Sequence, residues 1–173
     1  KGPKALKTIL KKKAGRNNSG KITVAHRGGG SKRFYRLVNF DFNSGFKAKV
    51  VAIEYDPNRA ANIALVQYED EQFDYILAPD KIKVGAVLVG GEEAPARVGN
   101  RMPINKIPVG TQVHNVEMLP GQGGKLCRSA GNYATILSSE GGMAQIKLPS
   151  GEVRRIKDDC FASIGAVGNS DVM

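Results

Sequence analysis

The sequence predicts an all-β protein composed of two small barrels. Short segments alternate between apolar and polar residues, and 21 Gly and 8 Pro spread along the chain supply the turns between them. No long stretch has the period of a helix. A chain of 173 residues is long enough for one domain or two small ones, and the short strands in each half favour two barrels.

The positive charge of the chain is concentrated at its N-terminus. Residues 1–36 contain 12 of the 26 Lys and Arg and no Asp or Glu, whereas residues 37–173 contain 14 basic and 16 acidic residues. The net charge of +10 is therefore an arm of +12 attached to a body of −2. Segments with many bases and no acids bind polyanions, so we predict a nucleic-acid ligand. The alternatives are a solvating tail and an organelle presequence, although a presequence would be Arg-rich and this arm is Lys-rich.

The arm divides into four segments. Residues 4–13 could form a short helix, but we predict that they are extended in the free protein and order on nucleic acid. Residues 15–20 are typical of a turn, and residues 21–24 predict a short strand. Residues 27–33 form a glycine loop flanked by cations. Three Gly allow backbone amides to approach phosphates, although the loop lacks the Gly-Lys-Ser/Thr ending of a P-loop.

Alternation of apolar and polar residues predicts the strands of a first barrel. Val51, Ile53 and Tyr55 share one face of a strand that ends at a turn, since Asp56 and Pro57 are the residue types favoured at the first two turn positions. The predicted strands cover residues 38–42, 51–55, 62–68, 73–78 and 86–89. Residues 99–110 contain two Pro, two Asn and no clear period, so we place the boundary between the two units there.

The second unit repeats this pattern. Its predicted strands cover residues 113–119, 133–137, 144–148, 153–157 and 160–165. Residues 120–124 are typical of a loop, and residues 149–152 are typical of a hairpin turn. Lys125 and Arg128 follow the glycines of this loop, and Arg59 follows a Pro turn in the first unit. Composition alone favours ordinary solvated charges at these three positions.

Few residues are suited to catalysis or metal binding. The two His are His26 and His114, and the two Cys are Cys127 and Cys160. A thiol dyad or zinc site would combine His114 with a Cys, but no Cys-x-x-Cys or His-x-x-x-His spacing supports it. We predict no catalytic residue, no metal and no cofactor. Two Cys favour a reducing compartment. No apolar run approaches the roughly 18 residues of a membrane span, so no membrane partner is predicted.

Eight motifs follow one another along the chain: GRNNSGKIT (15–23), HRGGGSKRFYR (26–36), IEYDPNR (53–59), VHNVE (113–117), PGQGG (120–124), RSAG (128–131), PSGEVR (149–154) and IGAVGN (164–169). In this order they resemble the universal large-subunit ribosomal protein two family. The resemblance covers nearly everything from Gly15 to Asn169. It implies an OB-type barrel followed by an SH3-like barrel.

The resemblance also implies a function. Members of this family are structural constituents of the large ribosomal subunit that bind its rRNA near the peptidyl-transferase region and support subunit association and translation. Because the RNA carries out peptide transfer, the resemblance implies that this chain is not an enzyme. Its expected partners are large-subunit rRNA and neighbouring ribosomal proteins. We divide the chain into a basic RNA-binding arm (1–33), an OB-type barrel (34–110) and an SH3-like barrel (111–173).

The predicted RNA-binding residues come from the arm, the glycine loop and two barrel turns. They are Lys11, Lys12, Lys13, Arg16, Lys21, Arg27, Gly28, Gly29, Gly30, Lys32, Arg33, Arg36, Arg59, Lys125 and Arg128. The resemblance implies the RNA contacts of Lys32, Arg33, Arg36, Arg59 and Arg128. It also implies a structural role for His114 between the barrels.

The chain departs from the family in two ways. Ser31 stands where the glycine loop of the family commonly has His. The family continues into a Gly-rich basic tail, which we expect either beyond this sequence or on a separate polypeptide. Split versions resemble organellar cases, which favours the mitochondrial matrix over the bacterial cytoplasm or the chloroplast. The functional alternatives are a free OB-type RNA chaperone or translation factor, and a thiol or metal hydrolase that uses His114 and Cys127.

Overall fold

A computed structural model describes residues 2–42 and 45–172 of the protein. Within these ranges the regular structure is nearly all β, with twelve strands, three short 3₁₀ turns and no α-helix. This confirms the predicted all-β fold and is consistent with an OB-type barrel followed by an SH3-like barrel. None of the described helical segments is long and apolar enough to cross a membrane.

The beginning of the basic arm packs on the first barrel. A 3₁₀ turn at Lys4–Leu6 leads into strand β1 (Lys7–Ile9), which pairs antiparallel with β2 (Phe34–Arg36). Leu6 also contacts a buried apolar cluster on the barrel. Residues 4–9 of the arm are therefore not a separate extended segment.

The rest of the arm consists of turns and loops. The strand predicted over residues 21–24 is wrong, because in this segment only Ile22 makes a bridge, with Arg16. The backbone N–H groups of Thr23 and Val24 both donate to the Gly15 carbonyl, at 2.9 and 3.1 Å, which closes a turn instead of extending a ladder. Gly15 itself has a φ of +70°, and a Cβ there would lie 2.2 Å from the Val24 carbonyl oxygen, so the turn requires glycine.

Four strands form the sheet of the first barrel: β3 (Phe46–Glu54), β4 (Ile63–Tyr68), β5 (Phe73–Leu77) and β6 (Val87–Gly90). β3 lies between β4 and β6, β4 pairs with β5, and all these pairs are antiparallel. The strands predicted over residues 62–68, 73–78 and 86–89 are confirmed. The fully buried side chains of Val50, Val66 and Leu88 belong to the core inside this sheet.

The apolar face predicted for Val51, Ile53 and Tyr55 points outward. These side chains are 39%, 39% and 70% exposed. β3 begins at Phe46, five residues earlier than predicted, and its inner face presents Ala48 and Val50 to the core. Because successive side chains in a strand point to opposite faces, Val51 and Ile53 are left on the solvent side.

The strand predicted over residues 38–42 is wrong. Val38 makes one isolated parallel bridge to Tyr75, and no ladder continues from it. The Asn39 backbone N–H donates to the Tyr75 carbonyl at 2.7 Å, whereas the Phe40 carbonyl accepts from the Gly124 N–H at 2.9 Å. The backbone of this segment therefore bonds to two different barrels, and a single ladder cannot form.

The second barrel contains β7 (Arg101–Pro103), a 3₁₀ turn (Ile104–Lys106), β8 (Gln112–His114), β9 (Ala134–Glu140), β10 (Met143–Lys147), β11 (Val153–Lys157) and β12 (Phe161–Ile164), before a last 3₁₀ turn at Ser170–Val172. The later strand predictions are confirmed. The strand predicted over residues 113–119 ends early, because Asn115 has a φ of +50° and the chain turns away there. Val116 instead makes a bridge with Leu126.

The two barrels share one continuous sheet. β7 pairs in parallel with β6 at Arg101 and Gly90, and antiparallel with β12, so the strand order is β11-β10-β9-β8-β12-β7-β6-β3-β4-β5. Met102, Ile104 and Ile107 pack into the core of the second barrel. We therefore propose that the second unit begins ahead of β7, earlier than the division predicted at residue 110.

His114 is a buried residue at the end of β8. Its side chain is 2% exposed, and Nδ1 donates to the Gly165 carbonyl at 2.8 Å. Burial lowers the pKa of His114 to about 4, and the nearby Arg101 charge acts in the same direction. The imidazole is therefore neutral at neutral pH and fixed in one tautomer, which fits the structural role that the resemblance implies.

The buried state of His114 predicts a pH dependence of stability. An ordinary His has a pKa of 6.5, and that of folded His114 is about 4. Between these values the unfolded chain binds a proton that the folded chain does not. The contribution of His114 is thus constant above pH 6.5 and falls by about 1.4 kcal/mol per pH unit as the pH decreases toward 4.

Urea denaturation of the wild type and of His114→Gln between pH 7.5 and about 4.5 measures this contribution. The difference in free energy of unfolding between the two proteins should be flat above pH 6.5 and change steadily below it. A difference that stays constant over the whole range would contradict the buried neutral imidazole.

Candidate nucleic-acid interface

Two arginines from different barrels meet at one aromatic ring. Arg59 lies between β3 and β4, and Arg128 lies between β8 and β9. Their guanidinium carbons are 5.6 and 4.6 Å from the centre of the Phe40 ring, within the range of cation–π attraction. A surface cavity of about 460 Å³ opens beside them, lined by Tyr35, Phe40, Asn58, Arg59, Ala60, Arg128 and Ser129. The structure thus brings together two predicted residues that are far apart in sequence.

Asp56 fixes the direction of the Arg59 side chain. Its carboxylate is fully buried, and Oδ2 accepts a hydrogen bond from Arg59 Nε at 2.7 Å. The other oxygen accepts from the Asn58 backbone N–H at 3.1 Å, as expected for Asp at the first position of a turn. Among residues 2–42 and 45–172, the two terminal nitrogens of Arg59 have no hydrogen-bond partner. They are free to make a forked contact with a phosphate.

A second buried carboxylate orders the loop that precedes Arg128. Glu117 is fully buried and accepts hydrogen bonds from the backbone N–H groups of Gly121 and Gly123, at 3.3 and 3.2 Å. These bonds hold a glycine-rich loop that would otherwise have many conformations. The loop therefore presents the segment that contains Arg128 in one orientation.

Gly124 joins this loop to the first barrel. Its N–H donates to the Phe40 carbonyl, and the side-chain amide of Asn115 donates to the same oxygen at 3.3 Å. A Cβ at Gly124 would lie 1.9 Å from Asn115 Oδ1 and 2.5 Å from the Asn115 carbonyl oxygen, so the packing of this loop on Asn115 requires glycine. The Gly124 carbonyl in turn accepts from Arg128 Nη1 at 3.5 Å. Phe40 is consequently bound to the second barrel through its backbone and to both arginines through its ring.

Arg101 neutralises Glu117 inside the junction. Its Nη2 lies 3.5 Å from Glu117 Oε1, and its Nη1 donates to the Asn115 carbonyl at 2.6 Å. Burial lowers the pKa of Arg101 to about 10, and the Glu117 charge opposes that shift. Arg101 remains charged at neutral pH, so the junction contains a buried, hydrogen-bonded ion pair.

The glycine loop adjoins a second surface cavity. This cavity has a volume of about 460 Å³ and is lined by Lys12, Lys13, Ala14, Gly15, Val24, Arg27 and Gly28. Lys12 Nζ donates to the Gly29 carbonyl. A Cβ added at Gly28 or Gly29 would meet nothing within 4 Å, so their backbones are open to a ligand. Three predicted cations and the glycine loop are therefore brought together.

The loop is also attached to the turn that carries Arg59. Arg33 Nη1 donates to the Pro57 carbonyl at 3.1 Å, and the Asn58 side-chain amide donates to the Phe34 carbonyl at 2.9 Å. These two bonds cross between the end of the arm and the turn after β3. The glycine loop and Arg59 are thus parts of one connected surface.

The remaining predicted cations are exposed and lie outside the lining of these two cavities. They are Lys11, Arg16, Lys21, Lys32 and Lys125. Two of them contact neighbouring protein groups, since Arg16 donates to the Gly20 carbonyl at 2.8 Å and Lys125 donates to Gln122 Oε1 at 3.2 Å.

Arg36 pairs with carboxylates of the protein, unlike the predicted cations that are exposed to solvent. Its guanidinium lies 3.7 Å from Glu54 and 3.7 Å from Asp56. Burial alone would raise the pKa of Glu54, but hydrogen bonds from the Tyr75 hydroxyl and the Gly2 N–H lower it below the ordinary value, with help from nearby cations including Arg36. Arg36 therefore joins the arm to the first barrel, and an RNA contact at this position stays a prediction.

Comparison with known protein families identifies both halves of the chain. Residues 3–90 match the family described as Ribosomal Proteins L2, RNA binding N-terminal domain, and residues 97–173 match Ribosomal Proteins L2, C-terminal domain. The chain belongs to the ribosomal protein L2 family. It is thus a large-subunit ribosomal protein with an RNA-binding domain, from a family of structural proteins rather than enzymes.

The thiol chemistry considered as an alternative is not supported by the sites of the two Cys. Burial raises the pKa of both Cys127 and Cys160 to about 11, so both thiols are protonated at neutral pH. The nearby acidic residues raise that of Cys160 further. Because the thiolate is the nucleophile, neither group is activated. Within the described parts of the chain, no group of three or more His, Cys, Asp or Glu is placed to hold a metal.

Sequence analysis missed the residues that position the arginines. Asp56 was predicted only as a turn residue, Phe40 as part of a strand, and Glu117 was not assigned a role. The Asp-Pro-Asn-Arg turn contains a local signal for this contact. An Asp at the first position of a turn accepts hydrogen bonds from residues two or three positions later, which here include Arg59. Nothing local to Phe40 or Glu117 shows that residues from two barrels converge there.

Two glycine variants of this L2 chain should have different effects, because one glycine is open to solvent and the other is closely packed. Gly28→Ala should leave the free energy of unfolding within about 0.5 kcal/mol of wild type, because the site is open. It should weaken binding to an rRNA fragment about fivefold, since a methyl group keeps one amide from a phosphate.

Gly124→Ala should destabilise the fold by about 1–3 kcal/mol, because its Cβ collides with Asn115.

Urea denaturation and filter binding measure both effects. Wild-type RNA affinity in Gly28→Ala would contradict the assignment of the loop to the RNA surface. Unchanged stability in Gly124→Ala would contradict the close packing of this loop on Asn115.

Proposed function

We propose that this chain binds large-subunit rRNA near the peptidyl-transferase region through one surface that combines the arm, the glycine loop and the cavity at Phe40. The convergence of Arg59 and Arg128 on Phe40 is the observation that carries this proposal. Two guanidiniums beside the hydroxyls of Tyr35 and Ser129 and the side-chain amide of Asn58 are groups that bind a nucleic-acid backbone. The family of the chain supplies the ligand class, and the geometry supports the position of the site.

The parts of this surface have different roles. The arm has no acidic residue and supplies long-range attraction to RNA, which weakens as salt increases. Arg59 and Arg128 are held by buried or backbone partners, so they lose little conformational entropy on binding and set the orientation of the protein. Recognition is mainly of RNA shape and backbone, because these groups contact phosphates rather than base edges.

One arginine comes from each barrel. An RNA backbone bound to both arginines would therefore hold the two barrels on the same segment of rRNA. This supports the proposal that the protein stabilises rRNA architecture around the peptidyl-transferase region and thereby supports subunit association. The peptide-transfer chemistry belongs to the RNA, and the protein contributes binding energy and position.

The mitochondrial compartment stays a prediction of the resemblance. Affinity purification of ribosomes through this chain, followed by sequencing of their rRNA, tests it. Mitochondrial rRNA is the expected result, and bacterial or chloroplast rRNA would refute the prediction.

Replacement of the two arginines tests the proposed surface. Arg59→Ala and Arg128→Ala should each weaken binding to an rRNA fragment of the peptidyl-transferase region at least tenfold, as for the loss of a charge-assisted hydrogen bond. Arg128→Ala should keep the stability of the wild type. Arg59→Ala should lose about 1–3 kcal/mol, because it removes a hydrogen bond from the buried Asp56 carboxylate.

Arg97→Ala is the matched control, since Arg97 is exposed and lies outside the lining of the Phe40 cavity. Filter binding at fixed salt compares the three variants, with urea denaturation as the measure of folding. If Arg128→Ala binds RNA as tightly as Arg97→Ala does, the proposed surface is wrong.

A further inference from the structure

We propose a second RNA-binding face, on the outer side of the β10–β11 hairpin, which holds the phosphate backbone of a double-helical rRNA segment. The proposal rests on the proposed function for its ligand class, and it concerns residues outside the arm, the glycine loop and the Phe40 cavity. Three cations carry it: Lys147 on β10, and Arg155 and Lys157 on β11.

The register of the hairpin places these three cations on one face. Gln145 pairs with Arg155, Met143 pairs with Lys157, and the intervening residues Ala144, Ile146 and Ile156 point into the core. Arg155 and Lys157 are two residues apart on one strand, about 6.6 Å along it. Lys147 is diagonal to Arg155 on the neighbouring strand, about 7–8 Å away. All three side chains are exposed.

These charges are not neutralised by the protein. Among residues 2–42 and 45–172, Lys147, Arg155 and Lys157 have no ion-pair or hydrogen-bond partner, whereas the neighbouring Arg154 pairs with Glu152 at 3.0 Å. Neither β10 nor β11 contains an acidic residue. The acids nearest by register lie at the ends of the strands, at Glu140, Glu152, Asp158 and Asp159, and Glu152 is paired with Arg154. These three unpaired cations therefore form a local positive patch on residues 37–173, whose net charge is −2.

The chemistry of this face favours duplex backbone over single-stranded RNA. Single strands are bound by aromatic side chains on which the bases stack, and β10 and β11 contain no aromatic residue. A-form duplexes are recognised through phosphates and 2′-hydroxyls on a wide, shallow groove. The paired strands, with Gln145 and the three cations facing outward, match that surface. β11 is also the last strand of the ten-stranded sheet, and no other described strand covers its outer edge.

With a second RNA-binding face, the protein would bind rRNA at two separate sites at once. Once the Phe40 surface is bound, the hairpin meets its own RNA segment at high effective concentration, and the two contacts reinforce each other. The hairpin face would therefore contribute to affinity and to its salt dependence without sequence specificity.

The test compares charge removal on this face with equal charge removal elsewhere. The triple variant Lys147→Gln, Arg155→Gln, Lys157→Gln should reduce the slope of log affinity against log salt by roughly 2–3, since each lost phosphate contact is worth about 0.9. A control triple at the exposed Lys49, Lys83 and Lys106 removes the same net charge and should change the slope by less than about 1.

Adjacent arginines provide an internal control on one strand. Arg155→Gln should weaken binding of the rRNA fragment about fivefold, and Arg154→Gln, on the inner face and already paired with Glu152, should change it less than twofold. Hydroxyl-radical footprinting of the rRNA should show that the triple variant loses one protected duplex segment while protection that depends on Arg128 persists.

Each alternative outcome overturns the inference. If the hairpin triple variant and the control triple variant have equal slopes of log affinity against log salt, the three hairpin cations are ordinary solvated charges that do not contact RNA. Self-association of the hairpin triple in sedimentation, with an unchanged RNA slope, would mean that the cations only protect a sheet edge from pairing. In either case, weakened binding by Arg128→Ala would leave the proposed function standing. If Arg128→Ala also bound normally, both would fail.

Discussion

The junction between the two barrels is the constraint on which the RNA surface depends. Its centre is the buried ion pair of Arg101 and Glu117, because these charges can be buried only while their hydrogen-bond partners stay in place. Glu117 holds the glycine loop before Arg128, and Gly124 of that loop bonds to the Phe40 carbonyl. The position of one arginine relative to the other is therefore set in the interior of the protein.

The same arrangement explains why a nearly neutral body can be an RNA-binding protein. Its acids outnumber its bases, but Arg59 and Arg128 have partners that orient them and leave hydrogen-bond donors available. Asp56 bonds Arg59 through Nε alone, and within residues 2–42 and 45–172 its terminal nitrogens have no hydrogen-bond partner. Arg36, by contrast, lies between two carboxylates and ties the arm to the barrel. Charge density alone would not distinguish these two arginines, whereas their partners do.

The sequence was a good guide to local structure and a poor guide to contacts across the junction. Short apolar segments bounded by turns located β4, β5, β6 and β11. β6 and β11 alternate between exposed and buried residues, whereas both faces of β4 are buried. It failed at residues 38–42, where the pattern is strand-like but the backbone bonds to two barrels, and at Val51 and Ile53, where an apolar face is exposed. Arg59 and Arg128 were predicted through the family resemblance, and their meeting at Phe40 depends on tertiary contacts that no local pattern contains.

The most direct test of this account is the RNA affinity of Phe40→Leu, measured beside Phe40→Tyr in the full chain. Leu keeps the backbone carbonyl that bonds to Gly124 and much of the apolar volume, but it removes the ring shared by the two arginines. Without the ring both guanidiniums become mobile, and ordering each of them on RNA costs about 0.5–1.5 kcal/mol. This predicts roughly tenfold weaker binding of Phe40→Leu, with wild-type affinity in Phe40→Tyr. Equal affinity of the Leu variant and the wild type would contradict the claim that Phe40 positions the two arginines.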